Sequence, residues 1–105
     1  MFYELDLFGE HFKFKLIKNT YAANNTLAVQ VISDQGEYLT TLTVNMPKDY
    51  DLPEHMQFVD INNNPWALEF LEANQIAMPV GFSAYSGFCM YPLYQFDLDK
   101  LDTEV

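Results

Sequence analysis

Tyr3, Leu5 and Leu7 alternate with Glu4 and Asp6, and a few residues later Phe12, Phe14 and Leu16 alternate with Lys13 and Lys15. A strict period of two sends successive side chains to opposite faces of an extended strand, and no helix accommodates it. With the short turn Gly9-Glu10-His11 between them, the two runs predict a β-hairpin. Acids on its first strand face lysines on its second. The pattern recurs further on. Thr26–Ser33 (TLAVQVIS) and Tyr38–Asn45 (YLTTLTVN) flank the tight turn Asp34-Gln35-Gly36-Glu37 and predict a second hairpin.

One helix interrupts this extended chain. In Asn62-Asn63-Asn64-Pro65-Trp66, Asn64 is suited to accept the free N–H groups of a first turn, and Pro65 suits the first helical position. Trp66, Ala67, Phe70 and Leu71 form one apolar stripe, with Glu69 and Glu72 opposite and Asn74 as the stop. A helix over Pro65–Ala73 is therefore expected, with Trp66, Phe70 and Leu71 buried against Leu27, Val29, Leu42 and Val44. Around it, Met46–Glu54 reads as an exposed loop with two prolines and three acids, and Gln57–Ile61 as a short extended piece. Ile76–Phe82 is expected to be extended and Ser83–Gly87 to turn. Phe88–Leu98 (FCMYPLYQFDL) is apolar on both faces, as a strand covered on two sides would be, with a bulge or an edge at Pro92.

At 105 residues the chain has room for one domain with one core. The expected fold is α+β: a mainly antiparallel sheet of about five to six strands built from hairpins, with one helix packed on a face. Residues 1–98 are expected to form this domain and 99–105 an acidic, frayed tail. Half the residues are hydrophobic, which excludes intrinsic disorder. No apolar run reaches the ~18 residues of a membrane-spanning helix, and Met1–Glu10 lacks the basic start and apolar stretch of a secretory signal. Cys89 is the only cysteine, so the fold stands without an internal disulfide, and the cytoplasm is the expected compartment.

The formal charge of −10 comes from a shortage of bases. All five are lysines, with no arginine to fork around a phosphate or carboxylate. Lys13, Lys15 and Lys18 are balanced by Glu4, Asp6 and Glu10, so the entire net charge lies beyond Asn19, where twelve acids meet only Lys48 and Lys100. Such a surface repels phosphate backbones, and direct binding to nucleic acid is not expected. It suits either plain solubility or docking on a basic partner.

Motifs for chemistry are sparse. His11, His55 and Cys89 do not fall at metal-ligand spacing. Asp60-Ile61-Asn62-Asn63-Asn64 imitates the opening of a calcium loop, but Pro65 stands in place of the turn glycine and Leu71 in place of the bidentate glutamate. Cys89, between Phe88 and Met90, reads as a buried small hydrophobe. Neither a phosphate-cradling glycine loop nor a recognisable carboxylate pair is present. No catalytic residue, cofactor or metal is expected. The aromatics Tyr85, Phe88, Tyr91, Tyr94 and Phe96 suit core packing better than a binding surface.

Three segments carry a resemblance: Thr20–Val31 (TYAANNTLAVQV), Phe58–Ala67 (FVDINNNPWA) and Ser86–Phe96 (SGFCMYPLYQF), with Leu42–Asn45 (LTVN) between them. Over roughly Glu4 to Phe96 the chain resembles a family of small proteins from phages, plasmids and conjugative elements of bacteria, a domain of unknown function. The resemblance implies no activity and supplies no catalytic residue. It implies a mobile genetic element at work in a bacterial cytoplasm. The function expected is a non-enzymatic interaction protein that binds a basic host or element-encoded protein, its most concrete version the inhibition of a nucleic-acid-binding defence protein of the anti-restriction or anti-CRISPR type. The candidate contacts are Asp49, Asp51, Glu54, Glu69, Glu72, Asp97, Asp99 and Asp102, with the tail to Glu104. The alternative is a small ligand-binding or enzyme-like domain with its site near Asn62, Asn63 and Tyr91, or a purely structural role.

Overall fold

A computed structural model of the chain describes residues 1–103. The first hairpin joins β1 (Tyr3–Leu7) to β2 (Glu10–Thr20) in the register Glu4↔Lys13 and Asp6↔His11. Its turn is shorter than expected, Phe8-Gly9, and both residues have positive φ (53° and 79°), as a two-residue turn matching the strand twist demands. Gly9 adopts this freely, whereas Phe8 is a bulky residue held there with its ring in solvent. His11 thereby enters β2 instead of the turn. Lys13, opposite Glu4, lays its ammonium over the Phe2 ring at 5.3 Å.

The class is the expected α+β, but the strands form two sheets instead of one. Among the described residues there are nine strands. The first sheet runs β1-β2-β3-β4, with β3 at Leu27–Ser33 and β4 at Tyr38–Thr41. The second runs β5-β6-β8-β7, with β5 at Thr43–Val44, β6 at Met56–Val59, β7 at Ala77–Ser86 and β8 at Cys89–Phe96. The stretch Tyr38–Asn45, expected as one strand, is cut at Leu42. The Leu42 N–H donates to the Val29 carbonyl (2.8 Å), and its own carbonyl accepts from the Asp60 N–H (2.8 Å). One residue thus belongs to both sheets.

The main core lies among the first sheet, the inner face of the second and the helix α1 (Ala67–Ala73). Phe70 and Leu71 are buried there with Leu27, Val29 and Leu42, as expected, together with Tyr94 and Phe96 from β8. Two details differ. Trp66 is only half-buried, its ring 6.4 Å from Phe14 and 5.8 Å from Phe70. Val44 faces away, toward a second cluster of Met46, Phe58, Ala84 and Leu93 on the outer side of the second sheet. Part of the expected exposed loop covers that cluster, with Met46 buried and the Tyr50 ring 5.1 Å from Phe58.

The helix starts two residues later than expected, and Asn64 does not cap it with its side chain. Asn64 Nδ2 donates to the Thr41 carbonyl (3.0 Å), and Oδ1 accepts from the Thr40 hydroxyl (3.0 Å). The buried Asn64 amide commits both its polar ends to the half-buried backbone and side chains of β4, and the first helical N–H groups are left to other partners. The hairpin β7–β8 also differs. Its strand continues through Ser86 and turns at Gly87-Phe88. The irregularity lies in β7 between Pro79 and Ser83, opposite the expected Pro92.

The segment from Asp99, expected to fray, is docked as far as it is described. Asp97 caps a single 3-10 turn at Leu98–Lys100 by accepting from the Asp99 N–H (3.1 Å). Leu101 is buried, and β9 (Asp102–Thr103) pairs parallel with Ile17–Lys18 of β2. Alternation alone could not reveal this, since the anchor is one leucine among acids. Glu104 lies outside the described residues.

Asn64→Ala removes both bonds to β4 and is expected to lower unfolding free energy by about 1–3 kcal/mol. Asn62→Ala, at an exposed neighbour, should stay within about 0.5 kcal/mol. Urea denaturation of the two variants checks the ordering. Equal effects would return Asn64 to a helix cap of no special consequence.

Candidate interaction surface

All but one of the acidic candidates fall into two groups. Asp49 and Asp51 sit in the loop after β5, where the Asp49 carboxylate accepts the Asp51 N–H (2.8 Å) and Asp51 holds a φ of 50°. Tyr50 between them turns inward, and Lys48 places its ammonium 5.3 Å from that ring. The other group collects around the C-terminal end of α1. Glu72, on the solvent side of the helix, accepts from the Tyr94 hydroxyl at 2.7 Å. Burial first, and then this carboxylate, pushes the Tyr94 hydroxyl up to about 12. The Asp97 N–H donates to the Ile76 carbonyl (2.8 Å), and the Phe96 N–H donates to the His55 carbonyl (2.7 Å), which draws Glu54 toward the same end. Asp99 is exposed beside them, and Asp102 pairs with the N-terminal ammonium at 2.9 Å. The Tyr3 hydroxyl donates to the Lys100 carbonyl (3.2 Å) and is raised by burial and then by the charges of Asp102 and Asp97.

Glu69 stands apart from that group. It borders a cleft of about 340 Å³ between β1 and α1, lined also by Leu5, Leu7, Trp66 and Phe70. A second cleft of about 150 Å³ opens on the other side of Trp66, walled by Leu5, Phe12, Phe14, Val31 and Leu39. Neither is lined by Asn62, Asn63 or Tyr91. Asn63 donates its side-chain amide to the Asp60 carboxylate (2.8 Å), and Asn62 is exposed. Tyr91 lies half-buried beside the second cluster, its hydroxyl pushed up by burial and by Cys89, with Asp60 a smaller contributor.

Two features escaped the sequence reading. His11 bridges two carboxylates, Nδ1 to Asp6 at 2.7 Å and Nε2 to Glu4 at 2.8 Å. The signal was present, because alternation places Glu4 and Asp6 on one face and the shortened turn adds His11 to it. The second is the hairpin β7–β8. Tyr94 and Phe96 are buried as expected, but Tyr85 and Phe88 stand in solvent, and Cys89 is half-buried instead of enclosed. The legible signal was the absence of any charged residue from Ala73 to Phe96.

Among the described residues, no three His, Cys, Asp or Glu side chains are grouped to hold a metal ion, and no helix is long and apolar enough to cross a membrane. Fold and surface together define a small, mainly antiparallel α+β domain of two packed sheets and one short helix. The chain belongs to the family described as Domain of unknown function (DUF4313), which matches residues 16–104. That match begins inside β2 and runs through β9, so it includes the docked C-terminal segment and leaves out β1. No curated protein and no solved structure matches the chain.

The Asp6 and Glu4 hydrogen bonds, in that order, raise His11 above its ordinary 6.5. A histidine with a raised folded pKa stabilises fully below its unfolded pKa and loses that contribution as pH rises through the folded value. The chain should therefore lose a little stability above pH 6.5. Glu4→Gln with Asp6→Asn should bring the His11 midpoint, followed by NMR, down toward the ordinary value and remove this dependence. An unchanged midpoint would mean that the bridge does not form in solution.

Proposed function

We propose that this protein is a non-enzymatic binding domain that takes a basic protein onto the carboxylates around the C-terminal end of α1: Glu54, Glu72, Asp97 and Asp99. One observation carries the reading. Beyond Asn19 the chain has only two lysines against twelve acids, Lys48 over the Tyr50 ring and Lys100 on the Asn74 carbonyl (3.2 Å). Lys100 also satisfies a carbonyl at the helix end, where cations are favoured. Its single positive charge offsets only one of the four carboxylates there, so the field at this end stays negative and attracts cationic surfaces from beyond contact distance. The setting of the proposal is a mobile genetic element in a bacterial cytoplasm. Its most concrete partner is a host defence protein that binds nucleic acid, whose phosphate-binding surface would meet carboxylates instead.

The test is capture of proteins from a bacterial lysate by the tagged full chain at low and high salt, followed by charge reversal. Exposed charges are screened over about 10 Å at 0.1 M salt and about 3 Å at 1 M, so capture should fall steeply between these limits. Glu54→Lys with Asp99→Lys should weaken capture of the basic protein about tenfold or more, and reversal at Asp49 and Asp51, on the separate loop, should weaken it less. Capture insensitive to salt and to Glu54→Lys with Asp99→Lys would overturn the reading.

A further inference from the structure

Where β6 and β7 begin and β8 ends, a cleft of about 220 Å³ opens among His55, Gln75, Ala77, Met78, Gln95 and Asp97. The sheet register builds it. Met78 and Gln95 are direct partners across β7 and β8, so their side chains stand on one face. Beyond the last pair, Ala77↔Phe96, the Asp97 N–H donates to the Ile76 carbonyl (2.8 Å), which keeps the two chain ends together. The Phe96 N–H bond to the His55 carbonyl (2.7 Å) brings His55 beside them. Gln75, at a φ of 55°, is tied to the end of α1 by its N–H bond to the Glu72 carbonyl (3.0 Å). Gln75, Gln95 and Asp97 are exposed, so two amides and a carboxylate stand open around one apolar wall. Asp97 uses Oδ1 on the Asp99 N–H (3.1 Å), and its other oxygen is uncommitted among the described residues.

Resting on the reading that a basic protein docks at this end, we infer that the cleft receives an arginine side chain of that protein. The Asp97 carboxylate and the amide oxygens of Gln75 and Gln95 hold the guanidinium, and its methylene stem lies along Met78. Charge fixes the sign of the occupant, because Asp97 lines the cleft and Glu54 adjoins His55. The spread of acceptors selects the ion. A guanidinium presents five N–H donors in a planar fork that can reach several residues at once, whereas an ammonium is a compact, strongly hydrated point charge. An arginine stem also gains from an apolar wall while its head stays on polar groups. The chain has no arginine, so a second copy cannot supply the group. Lys100 does not fill the cleft either: its ammonium lies on the Asn74 carbonyl (3.2 Å), outside the lining. Arginine anchors seated in pockets are among the groups that carry most of the energy of a protein interface.

Two blocked peptides of equal charge, one built on arginines and one on lysines, test the cleft by NMR titration of the isotope-labelled full chain at low salt. The arginine peptide should bind about tenfold or more tightly, since bidentate hydrogen bonds add to the attraction that both peptides share. It should also move the side-chain amide signals of Gln75 and Gln95. Gln75→Ala with Gln95→Ala, both at exposed positions, should keep the melting temperature and bring the arginine peptide to the affinity of the lysine peptide. Asp97 is left in place because it caps the turn at Leu98–Lys100. Equal affinities for the two peptides would overturn the inference, as would arginine binding indifferent to the double substitution. So would an arginine preference whose signals centre on Asp49 and Asp51. In each of these cases, lysate capture that still depends on Glu54 and Asp99 would leave the acidic surface standing without the cleft. Loss of that dependence would remove both.

Discussion

Two sheets in so short a chain are held together by the backbone of Leu42. Its N–H is committed to β3 and its carbonyl to Asp60, the residue after β6. Both groups are buried beside a fully enclosed side chain, where an unpaired amide or carbonyl would cost about 1–3 kcal/mol. The neighbouring Thr43 hydroxyl accepts from the Val29 N–H (3.2 Å) and shares a hydrogen bond with the Tyr21 hydroxyl (3.0 Å). The buried Gln57 amide donates to the Leu27 carbonyl (2.9 Å). β3 thus takes part in three successive polar ties to the second sheet, and no translation of one sheet against the other preserves all of them. The helix inherits its position from the same point. Asp60 accepts from the Asn63 N–H (3.2 Å), and Asn64 returns to β4, so the lead-in to α1 is fixed before the helix begins.

Features encoded by neighbours a few residues apart were legible in the chain. Alternation marked both hairpins of the first sheet, and the stripe Ala67, Phe70, Leu71 marked the helix and the face it buries. What the pattern could not carry was choice among distant partners. In YLTTLTVN every second residue is apolar or β-branched, so nothing local announces that Leu42 changes sheets. Asn64 is a good cap by type, and only the distant Thr41 carbonyl explains why it caps nothing. Leu101 is one apolar residue between a lysine and an aspartate, yet it fills the main core and docks β9 on β2.

The surface was readable in one respect and hidden in another. That Glu54, Glu69, Glu72 and Asp99 would be exposed follows from their type, and they are. Which of them share a neighbourhood depends on bonds between residues far apart in sequence, such as Phe96 to His55 and Tyr94 to Glu72. Phe88 is the reverse case. Its composition argues for the interior, but the tight turn at Gly87 (φ 62°) carries it to the tip of a hairpin that no other element reaches. The helix is seven residues long and the covering loop packs on Phe58, so neither extends over the tip.

Segregation of charge from apolar surface follows from the order of elements along the chain. The uncharged tract is bounded by Glu72 before β7 and Asp97 after β8. An antiparallel hairpin returns its two ends to one place, and the Asp97 N–H bond to the Ile76 carbonyl is that closure. The acids at either end of the tract therefore meet at its base, while the turn lies at the far end. A strand of ten residues spans up to about 33 Å, and the screening length at physiological ionic strength is about 8 Å. The tip is then roughly four screening lengths from the carboxylates at the base, far enough that their field is almost gone where Phe88 stands. One continuous segment of sequence thereby holds carboxylates at the base of the hairpin and the exposed Tyr85 and Phe88 toward its far end.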